Sequence, residues 1–278
     1  MTRLSLHDVP NPLKFFSKEE PCAAWFESPE NDLFVLGGCS LQVAKQLSTF
    51  PIAEYRQIFI CLTSIDDKAI EGLPYYLPCA FPTRVLAHKS STPWTYVVTG
   101  KKAIHRDLLK MLCYSRNGSN KKIVCLGHNN DIATAKTCYV YDSPSTLNGY
   151  KVGPGSCFES LYTFNSAYSE CVEGSIMMTV DIYAYHFTID GRSVIFTNNT
   201  TSLDPLMEYL EEGSVLYLDV AADYSVGHMH LKSILPDLRK LQEKGIIIWL
   251  MPVDADPDTV AKIVADDPLI NVVEPVTK

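Results

Sequence analysis

Long hydrophobic runs are missing from this chain. No apolar stretch approaches the roughly 20 residues that cross a bilayer, so no membrane association is expected. The opening MTRLSLHDVPNPLKFF has no apolar centre of the secretion-signal kind, and a cytoplasmic location is expected. An excess of positive charge is missing too. With 24 Lys and Arg against 32 Asp and Glu, the net charge is −8. Proteins that track a phosphate backbone carry a basic face, so nucleic-acid backbone binding is not expected. A small anionic ligand in a locally basic pocket stays compatible with that balance. There is no C-x-x-C, and the nine cysteines are odd in number, with Cys61 and Cys125 set in apolar runs. They read as buried reduced thiols rather than a disulfide or zinc framework. Internal repeats, low-complexity tracts and linkers rich in Pro, Gly or Ser are all lacking. Residues 1–278 therefore read as a single domain, with an insertion at about 89–175.

What is present is an ordinary globular composition, 46% hydrophobic and 20% charged over 278 residues, enough for one large layered core. Strand and helix signals alternate. Leu33 to Leu36 and Ile58 to Leu62 are short apolar strand runs, with Arg84 to His88, Lys122 to Leu126 and Thr137 to Tyr141 as further candidates. Between the first two, Leu41, Val43, Ala44 and Leu47 form a helical stripe that Ser40 caps. Ala69 to Leu77 is expected to open a helix that ends at the Gly72-Leu73-Pro74 region, and Ala103 to Leu112 is expected to be helical. Ile176 to Phe187 alternates as one long strand, and Asp190-Gly191 predicts a hairpin into Ser193 to Thr197. Asp204-Pro205 predicts a capped helix stopped by Gly213. Val215 to Val220 and Ile246 to Met251 are strands, the Leu231 to Leu241 stripe is a helix ended by Gly245, and Asp256-Pro257 opens a last helix. Two mixed β-sheets packed face to face with helices outside follow from this order.

Few sites stand out. Gly153-Pro154-Gly155-Ser156 follows no clear strand and lacks the lysine of a phosphate loop. No Ser-His-Asp or Cys-His set can be assembled. The informative stretch is Ile58 to Pro74, IFICLTSIDDKAIEGLP. It resembles the T-H-x-H-x-D-H-x-x-G-L-P segment of the metallo-β-lactamase superfamily, most nearly its phosphodiesterase and RNase Z-like branch. Three later segments are similar to that family in order. They are Asp190 to Thr200, ending TNNT where the family has S-G-D-T; Val215 to Ala221 with Asp219 at its end, followed by His228-Met229-His230-Leu231; and Ile248 to Pro252.

The resemblance implies an α+β fold, the αββα four-layer sandwich. It also assigns the family's metal-ligand places, and these hold the wrong chemistry. Ser64, Asp66, Lys68 and Ala69 stand for three imidazoles and a carboxylate. Asn199 stands for the bridging aspartate and Pro252 for the last histidine, while no histidine lies between Asn165 and Thr179. Zinc sites need three or four N, S or O donors, and hydrolysis in this family needs the metal. The expectation is a degenerate member, metal-free, without cofactor and without catalytic residues. It would bind a ligand of the nucleotide or phosphate-ester class, or a protein partner, through the former active-site face. Ser64, Asp66, Lys68, Asn199, Asp219, His228 and His230 make up that face. Homodimerisation is implied by the same branch.

Two residue-level alternatives stay open. Lys68 either replaces metal charge beside Asp66 or Asp67, or is solvated on a first helical turn. His228 and His230 either chelate with Asp219 or Asp223, or one of them bonds backbone groups where the Leu231 helix starts, the reading we favour. The competing function is a metal-dependent phosphodiesterase or hydrolase with ligands relocated to Asp66, Asp219, His228 and His230. A third is a scaffold whose old site is plugged by Met251 and Trp249.

Overall fold

The computed structural model describes residues 11–17, 20–29, 31–64, 67–73, 94–98, 138–141, 150–152, 156–160, 168–172, 176–180, 184–222, 228–253 and 257–273. Two sheets dominate. The first is six-stranded and runs in chain order: β1 (Lys14–Ser17), β2 (Glu20–Glu27), β3 (Asp32–Leu36), β4 (Gln57–Cys61), β5 (Trp94–Val98) and β6 (Cys138–Tyr141). Its first three strands are antiparallel, and β3 to β6 are parallel. Next come β7 (Tyr150–Val152) and β8 (Ser156–Ser160), then a separate antiparallel hairpin of β9 (Tyr168–Val172) and β10 (Ile176–Val180). The second sheet has the order β16-β15-β13-β12-β11-β8-β7. Its remaining strands are β11 (Tyr185–Ile189), β12 (Arg192–Phe196), β13 (Val215–Ala221), β15 (Ile247–Pro252) and β16 (Ile270–Val272), with the short β14 (Met229–His230) beside β13. β12, β13, β15 and β16 run parallel. Both sheets are mixed.

Alternation along the strands sorts side chains into layers. Phe26, Phe34, Leu36 and Phe59 of the first sheet meet Phe187, Phe196, Tyr217 and Met251 of the second in one buried cluster. Their neighbours one residue along face outward. Leu33, Val35, Ile58 and Ile60 are covered by Val43, Ala44 and Leu47 of helix α1 (Leu41–Leu47). Leu216, Leu218, Ile248 and Leu250 are covered by Leu231, Leu238 and Leu241 of helix α3 (Leu231–Glu243) and Val260 of helix α4 (Pro257–Ile263). Helix, sheet, sheet, helix is the four-layer order the sequence predicts.

Local signals explain most boundaries. Ser40 accepts a hydrogen bond from Val43 N at 3.2 Å, the N-cap of α1. Asp190 and Gly191 have φ of 51° and 75°, the pair of positive angles that a two-residue hairpin needs. Two expectations are corrected. Ile176 to Phe187 is not one strand: β10 pairs with β9, and β11 begins at Tyr185 inside the large sheet. Alternation persists across the break because both pieces are strands, so the pattern carries no mark of the change of sheet. Asp204 does not cap an α-helix. Asp204–Tyr209 is a 3-10 helix whose N-cap is Leu203, and Ser202 Oγ accepts from Asp204 N at 3.1 Å. The expected elements at Arg84 to His88, Ala103 to Leu112 and Lys122 to Leu126 lie outside the described residues. Of the 89–175 stretch, β5 and β6 join the first sheet, and β7 and β8 the second.

Candidate functional site

The parallel strands β3, β4, β12, β13 and β15 bring their C-terminal ends to one edge of the sandwich, and loops leaving those ends are where α/β folds hold ligands. β4 ends at Cys61 and leads to Thr63 and Ser64, both buried. Short helix α2 (Asp67–Ile70) follows. Glycine is required at the turn after it. A Cβ on Gly72 would stand 2.1 Å from the Ser40 carbonyl oxygen and 2.5 Å from that of Cys39, and Gly72 N donates to Cys39 O at 2.8 Å. Cys39 N donates in turn to Ala69 O. The Gly72-Leu73 turn is thus docked on the start of α1, with Ala69 and Leu73 buried in the outer cluster.

Across the edge, β12 ends at Phe196, and Thr197 to Thr200 turn towards β13. Asn199 has φ of 54°, a left-handed conformation that asparagine tolerates. That turn directs two successive amides at one acceptor. Asn199 N and Thr200 N donate to Asp219 Oδ2 and Oδ1, at 2.7 and 3.5 Å. His228 Nδ1 lies 2.6 Å from Asp219 Oδ2. Asp219 is fully buried on β13, and a carboxylate taken out of water must be paired in this way. Two consecutive N–H groups make an anion nest. Here the nest is filled by the chain's own carboxylate.

Two hydrogen bonds tie the sheets together at this edge. Tyr185 OH, at the start of β11, donates to the Leu62 carbonyl. Asn198 Nδ2 donates to Thr63 Oγ1 at 3.3 Å, and Thr63 Oγ1 donates to Gly37 O at 2.9 Å.

In sequence, the chain matches no protein-family model and no curated protein. In structure, it aligns with the metallo-beta-lactamase fold protein YhfI from Bacillus subtilis. The TM-score is 0.57 at 12% identity, covering 92% of this chain and 89% of that one. The chain has the metallo-β-lactamase fold. Against that fold, the expected site residues separate into three groups. Ser64, Asn199, Asp219 and His228 lie at the C-terminal edge, with Asp219 as the hub. Asp66 and the side chain of Lys68 lie outside the described residues, as does Asp223, so the pairing expected for Lys68 is not described.

His230 goes elsewhere, and the expectation that His228 or His230 bonds backbone groups is corrected. His228 bonds the Asp219 carboxylate, and His230 Nδ1 lies 3.0 Å from Ser233 Oγ, so neither caps α3 through a backbone amide. A buried carboxyl group needs hydrogen-bond partners, and His228 supplies one. Nor, among the described residues, are His228, His230 and Asp219 grouped to hold a metal ion. Met251 and Trp249 belong to the inter-sheet core, where Trp249 stacks on Tyr217 at 6.4 Å.

The donor set does not fit the two-metal centre of the metallo-β-lactamase fold. Ala69 is packed in apolar surroundings, and Pro252 is buried at the end of β15 and offers no side-chain donor. Asp219 already serves three donors. Among the described residues, no three His, Cys, Asp or Glu side chains are grouped to hold a metal ion. Asn198 and Thr63 were not singled out from sequence. Thr63 opens the family motif and Asn198 sits beside the bridging-aspartate place, which was the signal available. Cys39 and Cys61 are buried free thiols, and burial pushes both well above the ordinary thiol range, which makes them inert packing groups.

Proposed function

We propose that this protein is a metal-free, non-catalytic metallo-β-lactamase-fold protein. It recognises a ligand of the nucleotide or phosphate-ester class, or a protein partner, through the former active-site face. The observation that carries the reading is the state of Asp219. Its carboxylate satisfies Asn199 N, Thr200 N and His228 inside the protein, so it is committed to holding the edge together. His228 keeps Nε2, a single imidazole donor, where zinc requires three or four ligands. The amides of Asn199 and Thr200 are likewise occupied. Recognition of an anion therefore falls to the Asn199 side chain, Lys68 and His228 Nε2.

The relocated-ligand hydrolase predicts chelator-sensitive phosphodiester cleavage that His230→Ala abolishes. That variant removes a ring already engaged with Ser233. The deciding experiment is incubation with zinc or manganese, dialysis and elemental analysis, with phosphodiester turnover measured alongside. Metal far below one ion per chain and no turnover are expected. Stoichiometric metal with chelator-sensitive turnover would sink the reading.

A further inference from the structure

Asn198 is 9% exposed, and its Oδ1 is buried without a hydrogen-bond partner. The network fixes which end of the amide is which. Thr63 Oγ1 gives its hydrogen to Gly37 O, so it receives from Asn198 and takes the NH2 group. The carboxamide oxygen is left over. A buried polar group without a partner is costly and calls for an explanation. This one sits at the C-terminal edge of the sandwich, one residue from the nest around Asp219.

The chemistry of the missing partner can be narrowed. It must be a hydrogen-bond donor. Asp219 is already hydrogen-bonded by two amides and an imidazole, so those amides are not left for this oxygen. The phosphate-ester class put forward above is an anion whose own donors, its sugar hydroxyls among them, are neutral. A neutral donor fits. We propose that Asn198 is a specificity-determining residue whose carboxamide oxygen receives a sugar hydroxyl of a phosphate-ester ligand. The inference rests on the ligand class put forward above. The oxygen is screened from solvent in the free protein, and its amide is held by one bond of 3.3 Å, near the long limit for such bonds. Rotation of the side chain breaks only that weak bond and re-aims the oxygen.

The test is calorimetric titration with ribonucleoside 5′-monophosphates and their 2′,3′-dideoxy counterparts, which keep the phosphate and base and lose both hydroxyls. Wild type should bind the hydroxylated member of a pair at least about fivefold more tightly, the effect of leaving a buried acceptor unanswered. Asn198→Leu should bring the ratio below about twofold. Thr63→Val frees the amide but keeps the acceptor, and should preserve the ratio. Equal binding of both members by wild type overturns the role of Asn198 and leaves the ligand class standing. Binding of neither member overturns the ligand class, and this inference with it. The wild-type comparison decides the matter even if a variant fails to fold.

Discussion

Gly72 shows how close packing alone can demand a glycine. Its Cα faces the carbonyls of Cys39 and Ser40, and no side chain, however flexible, avoids a backbone oxygen 2.1 Å from its Cβ. Gly72→Ala must therefore push α2 off the start of α1. A loss of about 2–4 kcal/mol is expected, in the range of severe single substitutions, measured as a shift of the urea midpoint. A loss below about 0.5 kcal/mol would show that the turn moves freely. Asp219 illustrates the opposite limit. Its position on a strand is legible in the sequence, but its partners are not. The nest depends on the left-handed φ of Asn199, a backbone angle that no composition or spacing encodes.

Elements were legible in proportion to how local their causes are. Helix α1 is announced by Ser40 and a 3.6-residue stripe, and β12 by the Asp190-Gly191 turn, and both form where those signals lie. The break between β10 and β11 was not legible, because the cause of β11's start is distant. Tyr185 is fully buried, packs near Phe187 at 6.2 Å, and gives its hydroxyl to Leu62 at the end of β4. A contact spanning 123 positions leaves no trace in a local pattern. It does leave a measurable energy. Tyr185→Phe keeps the ring and removes the donor, so the buried Leu62 carbonyl loses that partner. Destabilisation of about 1–3 kcal/mol is expected, with the slope of the urea transition unchanged. A neutral result would mean that this hydrogen bond adds nothing to the join between the sheets at this edge, which would then rest on packing and the Asn198–Thr63 bond.

For the whole molecule, the question is whether the two sheets stand or fall together. Each has an outer layer of helices, but the central cluster belongs to neither. Phe34 stacks on Phe26 and Phe59 of its own sheet, at 4.7 and 4.6 Å, and meets Phe187 of the other edge-on at 6.0 Å. Separating the sheets would expose this whole aromatic face to water, at roughly 25 cal/mol per Å² of apolar surface. Neither sheet has a second surface on which to rebury it. The chain is therefore expected to unfold as one unit, the single domain that its unbroken composition suggests. Trp25 and Trp249 report on the two sheets separately, Trp25 beside Phe50 and Trp249 on Tyr217. Proteins retaining Trp25 or Trp249 as their only tryptophan, with Trp94 of β5 also replaced, should show the same urea midpoint by fluorescence. Phe34→Ala, which empties the junction, should lower both midpoints together, by the amount that a stability loss of about 3–5 kcal/mol produces. If Phe34→Ala moved the Trp25 transition and left that of Trp249 in place, the sheets would be independent units, and the hydrogen bonds at the site edge would be the weaker part of what holds them together.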